Sequence, residues 1–435
     1  MMLYYSTNGK APLATLEKAV VKGLAEDRGL YMPQQLRHMP DGFFDSIQDM
    51  DFHEIACCVA DSFFGEDIPQ DILHGIVRDT LSFDCPVVKV TDRIRSLELF
   101  HGPTLAFKDV GARFMARMLR HFNGSSAGET VNVLVATSGD TGSAVANGFL
   151  GVDGIRVFVL YPKGKVSPIQ ECQFTTLGRN INALEIDGNF DDCQALVKNA
   201  FMDAELNAGM KLTSANSINV ARFLPQSFYY FHAYAQMKKL GLADELVVCV
   251  PSGNFGNICS ALFAWKVGLP VKRFIAANNA NDVFFKYLQT GKYEPKPSVQ
   301  TIANAMDVGA PSNFDRILDL FGGDWKAISG LISGFVSSDD EIRATMAECL
   351  KENGYTLDPH GACAYRALKA GLGPGETGVF CETAHPAKFK QVVDAATGTP
   401  VAIPDRLAAF MEGKVSKTCL GKDYGGFKDY LTNLK

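Results

Sequence analysis

The 435-residue sequence lacks the features that place a chain in a membrane or on nucleic acid. No apolar run is long enough to cross a bilayer, and no basic stretch followed by an apolar one opens the chain, so no signal peptide is predicted. Positive charge is not in excess, because 42 lysines and arginines stand against 48 acidic residues and the net charge is -6. We therefore expect no membrane and no nucleic acid among the partners, although small anionic ligands need only local positive groups.

Metal-binding and disulfide patterns are also missing. The 11 cysteines form no Cys-x-x-Cys pair, and no cluster of His, Cys and carboxylates has the spacing of metal ligands. Cysteines scattered through apolar segments are typical of reduced thiols, which predicts a cytoplasmic protein. We expect no metal site, and a monomer or weak homodimer.

The sequence does contain strands that alternate with helices. Strands are predicted over 97–100, 130–136, 155–160, 182–186, 246–250, 272–276 and 378–382. Helices are predicted over 13–24, 52–64, 68–80, 112–119, 167–177, 190–207, 258–267 and 339–353, with another from residue 143. This alternation predicts parallel βαβ units, and hence an α/β fold of two parallel-sheet modules with an N-terminal, mainly helical segment. A cleft is expected at the carboxyl ends of the strands.

Domain borders follow from the same pattern. We expect an N-terminal domain over 1–95, a large module over 96–125 and 205–400, a small module over 126–204 and a C-terminal segment over 401–435.

The stretch from His101 to Gly111 is the most informative part of the chain. Lys108 stands where a predicted strand passes into a predicted helix, among Leu105, Ala106 and Phe107. Burial disfavours an ammonium group and lowers its pKa, which leaves the amine free to form a Schiff base with a carbonyl. The alternative is a lysine that pairs with a neighbouring carboxylate and takes no part in chemistry.

The sequence contains four polar or glycine-rich turns. Three of them follow a predicted strand, and one precedes a predicted helix. Such turns can be tight structural turns, or they can bind an anion through exposed amides at a helix start. The first turn includes Thr137, Ser138, Gly139, Asp140 and Thr141; the second includes Gly253, Asn254, Phe255, Gly256 and Asn257; the third includes Asn216, Ser217, Asn219 and Arg222. A fourth turn carries Thr383 and His385, and we expect the histidine to cap a turn rather than to act in catalysis.

These motifs together resemble the threonine synthases, in the branch typified by enterobacterial and fungal enzymes. The matching segments, in chain order, are HGPTLAFKDVGARFMARML, ATSGDTGSAVA, LYPKGKVSPIQ, SANSINVAR, VPSGNFGN, RFIAANNAND, NAMDVGAPSN and TAHPAKF. The resemblance covers about residues 95 to 390, with a weaker match at the N-terminus. It implies a pyridoxal-phosphate enzyme of fold type II, related to the tryptophan synthase β chain and the serine/threonine dehydratases.

The resemblance also implies roles for single residues. Lys108 resembles the lysine that holds pyridoxal 5'-phosphate and acts in catalysis. For the cofactor, the implied contacts are Gly253, Asn254, Phe255, Gly256 and Asn257 around its phosphate, Thr383 at the pyridine nitrogen, and Asp140 near the ring hydroxyl. For the substrate, the implied contacts are Thr137, Ser138, Gly139 and Thr141 at the carboxylate, and Asn216, Ser217, Asn219 and Arg222 on the other side of the cleft. Lys163 and Arg113 are further candidates for the substrate phosphate.

The implied reaction is a lyase reaction of threonine biosynthesis. O-Phospho-L-homoserine and water would give L-threonine and phosphate, by elimination at the γ carbon and addition at the β carbon. Two alternatives stay open at this point: a phospho-lyase that releases 2-oxobutyrate from the same substrate, and a non-catalytic protein that binds the cofactor or phosphate. A dehydratase needs no second substrate-anion site, which disfavours it.

Overall fold

A computed structural model describes residues 1–124 and 130–434. The strands are β1 Leu3–Ser6, β2 Ala14–Thr15, β3 Tyr31–Pro33, β4 Val87–Lys89, β5 Ile94–Glu98, β6 Val131–Ala136, β7 Ile155–Pro162, β8 Ile181–Ile186, β9 Lys211–Ser214, β10 Leu246–Pro251, β11 Arg273–Asn278, β12 Ile332–Val336, β13 Thr377–Glu382 and β14 Thr418–Leu420. The helices are α1 Leu16–Lys22, α2 Phe43–Ser46, α3 Phe52–Phe64, α4 Gln70–Thr80, α5 Lys108–Asn123, α6 Asp140–Gly148, α7 Pro168–Thr175, α8 Phe190–Met202, α9 Ala204–Gly209, α10 Val220–Phe223, α11 Ser227–Lys239, α12 Gly256–Lys266, α13 Val283–Thr290, α14 Phe314–Leu320, α15 Trp325–Leu331, α16 Asp339–Asn353, α17 Pro359–Gly371, α18 Lys390–Thr397, α19 Asp405–Met411 and α20 Tyr424–Asn433. Short 3-10 turns cover Ile47–Asp49, Leu224–Gln226, Asn304–Met306 and Pro386–Phe389.

Two parallel sheets form the body of the molecule. The larger has the strand order β12-β11-β10-β13-β5-β4 and is parallel except at β4, and the smaller has the order β14-β8-β7-β6-β9 and is parallel throughout. Every residue of β6 and β10 is buried, as expected for central strands covered by helices on both faces. The predicted α/β fold with two parallel-sheet modules is confirmed.

The N-terminal part combines helices with a small antiparallel sheet of order β2-β1-β3. Its helices α3 and α4 contact each other, and α3 also contacts α11 of the body. Buried side chains of this part belong to the same apolar cluster as those of α5 and α11. The N-terminal part is therefore fixed against the body by a continuous core.

Two helices have the predicted bounds because their N-termini are capped locally. In α3 the side chain of Asp51 accepts the backbone N–H of Glu54, whose side chain in turn accepts the N–H of Asp51. The same reciprocal capping box joins Ser338 and Glu341 at the start of α16. Capping of this kind satisfies N–H groups that have no partner inside the helix.

Several predicted elements have other bounds in the structure, and three of them have a clear physical reason. The predicted helix over 190–207 is broken at Asp203, because this residue leaves the helical conformation and its side chain caps α9 by accepting the N–H of Leu206. The strand predicted over 97–100 covers Ile94–Glu98 instead, since it pairs there with β13. The helix predicted from Ser143 begins earlier, at Asp140, directly after Gly139 with its φ of 141°.

The small sheet draws on more of the chain than the range 126–204. Strand β9 pairs with β6, and β14 from the C-terminal segment pairs with β8. Helix α20 adds Phe427 and Leu431 to the apolar cluster beneath this sheet. The border predicted between residues 125 and 126 lies outside the described residues.

Within residues 1–124 and 130–434, the helices are too short or too polar to cross a membrane. In the same ranges, no group of three or more His, Cys, Asp or Glu side chains could hold a metal ion.

Candidate active site

The Lys108 motif meets the Thr383 turn at the carboxyl ends of two neighbouring strands. Strands β5 and β13 are parallel, and beyond their ends Ala106 and Ala384 form an antiparallel bridge. The N–H of Phe107 donates to the carbonyl of Thr383 at 2.9 Å, and the N–H of His385 donates to the carbonyl of Leu105 at 3.1 Å. The sheet edge thus fixes the backbone that carries Lys108 against the backbone that carries Thr383.

Lys108 is the first residue of α5 and its amine is available for chemistry. Its side chain is half-buried, and its Nζ forms no hydrogen bond or ion pair with any residue in the described ranges. Burial lowers the pKa of Lys108; the charge of Asp140 opposes this change, whereas those of Lys388 and Arg222 add to it. A lysine with a lowered pKa is a better nucleophile and base at neutral pH.

The glycine-rich turn after β10 has the geometry of an anion cradle. Phe255 adopts a left-handed conformation with φ of 64°, and a Cβ on Gly253 would lie 2.6 Å from the Cα of Met306, so only glycine fits there. None of the backbone N–H groups of residues 253–257 donates to an acceptor in the described ranges. Successive free amides at the start of α12 attract a phosphate.

Asparagine side chains hold this turn from both ends. Asn254 donates through Nδ2 to the Oγ of Ser217 at 2.7 Å and accepts the N–H of Ser312 at 2.7 Å. Asn257 donates through Nδ2 to the carbonyl of Pro251 at 2.8 Å. The turn is therefore fixed without using its own backbone donors, and the Asn254–Ser217 bond joins it to the third predicted turn.

The turn after β6 is also preformed. The Oγ1 of Thr137 accepts the N–H groups of Gly139 and Gly142 at 2.9 and 2.8 Å. The hydroxyls of Ser138 and Thr141 are half-buried and have no hydrogen-bond partner in the described part of the chain. Free hydroxyls at the start of α6 suit a carboxylate ligand.

Asp140 lies in a buried ion pair that was not predicted. The Nζ of Lys388 is 2.6 Å from Oδ1 of Asp140, and Gln170 donates to the same oxygen at 2.8 Å. Burial raises the pKa of Asp140, but the positive charges of Lys388 and Lys108 outweigh it and hold the pKa below its ordinary value. Asp140 is therefore a carboxylate at neutral pH.

Arg222 is fully buried, and no carboxylate in residues 1–124 or 130–434 pairs with it. One of its Nη atoms donates to the carbonyl of Ala215, whereas its buried Nε has no partner in these ranges. Burial lowers the pKa of Arg222 to about 10, which still leaves a cation at neutral pH. Within residues 1–124 and 130–434, the buried Oδ1 of Asn216 likewise has no partner. Both groups are therefore free to contact a ligand.

The other predicted residues make structural contacts or lie at the surface. Asn219 caps α10 by accepting the N–H of Ala221 at 3.0 Å, and it donates to the carbonyl of Val20 at 2.8 Å. His385 accepts the N–H of Ala387 at 3.1 Å, which is the capping contact expected of it. Lys163 is exposed in the turn after β7.

Arg113 points toward the C-terminal end of α4. It donates to the carbonyls of Thr80 and Asp79 at 2.9 and 2.6 Å and to the Oγ of Ser82 at 3.2 Å. These bonds satisfy carbonyls that have no partner inside the helix.

Sequence reasoning missed Lys388 and two tyrosines that support the site. Lys388 lies within the quoted segment TAHPAKF, where a lysine between apolar residues was the available signal. Tyr229 donates its hydroxyl to the carbonyl of Phe107, and Tyr230 donates to the carbonyl of Asn257 at 2.9 Å. No sequence signal marks these tyrosines, because their partners are remote in the chain.

Comparison with known proteins identifies the class to which this fold and site belong. The family model described as pyridoxal-phosphate dependent enzyme matches residues 96–383, which include Lys108, both glycine-rich turns and Thr383. The free amine of Lys108 and the unpaired amides of residues 253–257 fit a cofactor with an aldehyde and a phosphate. The chain is a pyridoxal-phosphate-dependent enzyme of fold type II.

Matches over the full length define the family within this class. Models for the threonine synthase N terminus and the threonine synthase C-terminal region match residues 3–81 and 360–431. Threonine synthase from Escherichia coli (strain K12) is 44% identical over 432 residues, covering 99% of this chain and 100% of the relative. The chain belongs to the threonine synthase family.

Solved structures agree with this assignment. The crystal structure of threonine synthase from Escherichia coli has a TM-score of 0.94 at 44% identity and covers 100% of both chains. The pyridoxal-phosphate-bound threonine synthase from Brucella melitensis has a TM-score of 0.92 at 37% identity, with 99% of each chain covered. The similarity therefore includes the N-terminal part and the C-terminal segment as well as the two modules.

Proposed function

We propose that the chain converts O-phospho-L-homoserine and water into L-threonine and inorganic phosphate, with pyridoxal phosphate held by Lys108. The observation that carries this proposal is the half-buried Lys108 amine, which has no hydrogen-bond or ion-pair partner in the described ranges. Lys388 connects the Lys108 motif to the Asp140 turn, and the Asn254–Ser217 bond joins the other two turns. Three turns match three anionic groups: the cofactor phosphate, the substrate carboxylate and the substrate phosphate. Membership in the threonine synthase family supports the same reaction.

For the cofactor, we assign the phosphate to the backbone amides of residues 253–257. Thr383 provides a hydroxyl for the pyridine nitrogen, and Asp140 provides a carboxylate near the ring hydroxyl. A hydroxyl does not hold the pyridine nitrogen protonated, so the electron-withdrawing power of the ring would be moderated.

For the substrate, we assign the carboxylate to Thr137, Ser138, Gly139 and Thr141. The phosphate is assigned to Arg222 with Asn216 and Ser217. The side chain of Asn219 bonds to Val20 and Ala221 and is proposed to hold this substrate-binding turn in place. Arg222 is the leading candidate because its buried Nε has no partner within the described ranges. Lys163 and Arg113 remain weaker candidates, since one is exposed and the other bonds to the end of α4.

The residues then divide the reaction between them. Pyridoxal phosphate, when bound, supplies an electron sink for negative charge at the α carbon of the substrate. The amine of Lys108 removes the α proton and then a β proton, whose electron pair expels phosphate from Cγ, and it later returns protons to the γ and α carbons. Arg222 stabilises the phosphate as the Cγ–O bond breaks. The oxygen of water then forms the new bond at the β carbon and becomes the hydroxyl of threonine.

We also propose how the modules share this work. The large module, 96–125 and 205–400, would bind the cofactor, and the small module, 126–204, would bind the substrate carboxylate. The domain 1–95 and the segment 401–435 would support the two modules from outside. Strands β9 and β14 extend the small sheet beyond residues 126–204.

Cellular setting and assembly are further parts of the proposal. The 11 cysteines are free thiols, and Cys419 is the exposed one; thiols of this kind persist in a reducing compartment. We propose a cytoplasmic enzyme that is a monomer or a weak homodimer. Sedimentation at several protein concentrations would test the second point, and a tight higher oligomer would contradict it.

The first experiment identifies the products. Purified protein is incubated with pyridoxal phosphate and O-phospho-L-homoserine, and the products are identified by mass spectrometry. We expect threonine with equimolar phosphate, and no product from Lys108→Ala. Release of 2-oxobutyrate would make the enzyme a phospho-lyase. No turnover, with a visible cofactor spectrum, would remove the substrate assignment.

A further inference from the structure

Lys388 is a buried lysine with two polar contacts at its ammonium group and no role in the chemistry proposed above. It lies in the 3-10 turn that follows β13 and the Thr383 turn, and its side chain is fully buried. Its Nζ is 2.6 Å from Asp140 and donates to the carbonyl of Thr104 at 2.9 Å. A lysine is rarely buried unless its charge is paired.

These contacts join the two modules at the site. Thr104 precedes Lys108 in the same motif, whereas Asp140 begins α6 in the small module. From α7 of the small module, Gln173 also donates to the carbonyl of Thr104, at 3.0 Å. Lys388 therefore lies where the turn that carries Ser138 and Thr141 meets the motif that carries Lys108.

The Asp140–Lys388 pair also contributes to the charge around Lys108. The charged groups that act on Lys108 are Asp140 and Asp358, which favour its protonated form, and Lys388 and Arg222, which disfavour it. Asp140 and Lys388 thus act in opposite directions on the same amine, and as a pair they offset each other. Removing either partner alone would leave a single buried charge next to Lys108.

We propose that Lys388 is a positioning residue: its ammonium group holds Asp140, and with it the 138–141 turn, against the Lys108 motif, and balances the Asp140 charge beside Lys108. The proposal rests on the proposed function, in which Lys108 holds the cofactor. Lys388 itself need not touch cofactor or substrate for this role.

The test is a pH titration of the visible absorbance of the full chain loaded with pyridoxal phosphate, because the Lys108–cofactor linkage changes colour when it gains a proton. Three variants are compared with the wild type: Lys388→Met, Asp140→Asn and the double variant. Lys272→Met is the control, since Lys272 also pairs with carboxylates, but at the opposite, amino ends of the large sheet.

We expect the midpoint of the titration to rise in Lys388→Met and to fall in Asp140→Asn, each by on the order of one pH unit. The double variant is expected to return close to the wild-type midpoint. The control Lys272→Met is expected to have the wild-type midpoint. If Lys388→Met does not fold because Asp140 is left unpaired, Asp140→Asn and the double variant still decide the question. Shifts in the same direction, or none, would overturn the proposal.

The proposed function fails in a different way. A wild-type protein that gains no visible band with pyridoxal phosphate, or keeps its band in Lys108→Ala, would contradict the assignment of Lys108. A normal wild-type band with unshifted variants would contradict only the role of Lys388.

Discussion

Tyr229 and Tyr230 are consecutive residues of α11, and their hydroxyls bind the two chain segments that the cofactor would join. Tyr229 donates to the carbonyl of Phe107, directly before Lys108, and Tyr230 donates to the carbonyl of Asn257 at 2.9 Å. One helix therefore sets the distance between the lysine and the phosphate cradle. Its residues Tyr229 and Tyr230 are both buried, so the helix itself is fixed by packing.

Replacing Tyr229 or Tyr230 with phenylalanine should loosen this arrangement. Each change removes one hydrogen bond and leaves a buried carbonyl with one donor fewer, at a cost of about 1 to 3 kcal/mol in the free energy of unfolding. We expect weaker binding of pyridoxal phosphate in both variants, measured by titration of visible absorbance. Tyr234→Phe is the control, because Tyr234 lies on the same helix and its hydroxyl makes no hydrogen bond in the described part of the chain. Equally weakened cofactor binding in all three variants would contradict the specific role of the Tyr229 and Tyr230 hydroxyls.

Gly253→Ala should reduce cofactor binding. The added Cβ would lie 2.6 Å from the Cα of Met306, and backbone at this distance cannot move aside cheaply. We expect at least about a tenfold rise in the dissociation constant of pyridoxal phosphate, which corresponds to about 1.4 kcal/mol. Gly330→Ala serves as the control, since its Cβ would meet nothing within 4 Å on the exposed helix α15. Unchanged binding in Gly253→Ala would show that the turn can shift without harm to the cradle.

Arg222→Met should raise the KM for O-phospho-L-homoserine. Loss of a charged donor to the phosphate costs about 1.5 to 3 kcal/mol of binding free energy. This corresponds to a roughly tenfold to hundredfold rise in KM. Inorganic phosphate should lose its ability to compete in the same variant. Steady-state kinetics and phosphate inhibition provide the measurements.

The matched variant for that experiment is Arg113→Met. Arg113 bonds to the end of α4, so we expect lower thermal stability and a KM close to that of the wild type. If instead Arg113→Met raises KM and Arg222→Met does not, the phosphate assignment moves to Arg113.

Asp307 should make stability depend on pH in the weakly acidic range. Burial raises the pKa of Asp307 to about 6, and hydrogen bonds from Thr301 and Asn279 oppose this change only in part. Because the folded state keeps its proton up to a higher pH than the unfolded state, stability falls as pH rises from about 4 to 6. The melting temperature of the wild type relative to Asp307→Asn should therefore decrease across this interval. A constant difference would show that Asp307 does not titrate there.

Local signals account for what could be predicted of the fold. The bounds of α3 and α16 follow from capping boxes that lie within four residues of sequence. Strands β9 and β14 were not predicted, because they are short and exist only through pairing with β6 and β8 far away in the chain. The break at Asp203 was not predicted, although its cause is local. The side chain of Asp203 caps α9 and so separates it from α8.

The residues of the site also differ in how strongly the local sequence marks them. Lys108 and the glycine-rich turns carry a local signal, because glycine and a lysine at a strand-to-helix transition have few structural explanations. Lys388 carries only the weaker signal of a lysine between apolar residues, since its role depends on Asp140 in another module. Predictions from sequence therefore find the groups that bind ligands more readily than the groups that hold them in place.

The position of β14 has a consequence for synthesis of the chain on the ribosome. Strand β8 ends at Ile186, whereas β14, which covers its free edge, begins only at Thr418. Until residues 418–420 emerge, the nascent small sheet exposes an open β8 edge, and such edges pair readily with other chains. Translation that stops before residue 418 would thus release a chain whose open β8 edge favours aggregation.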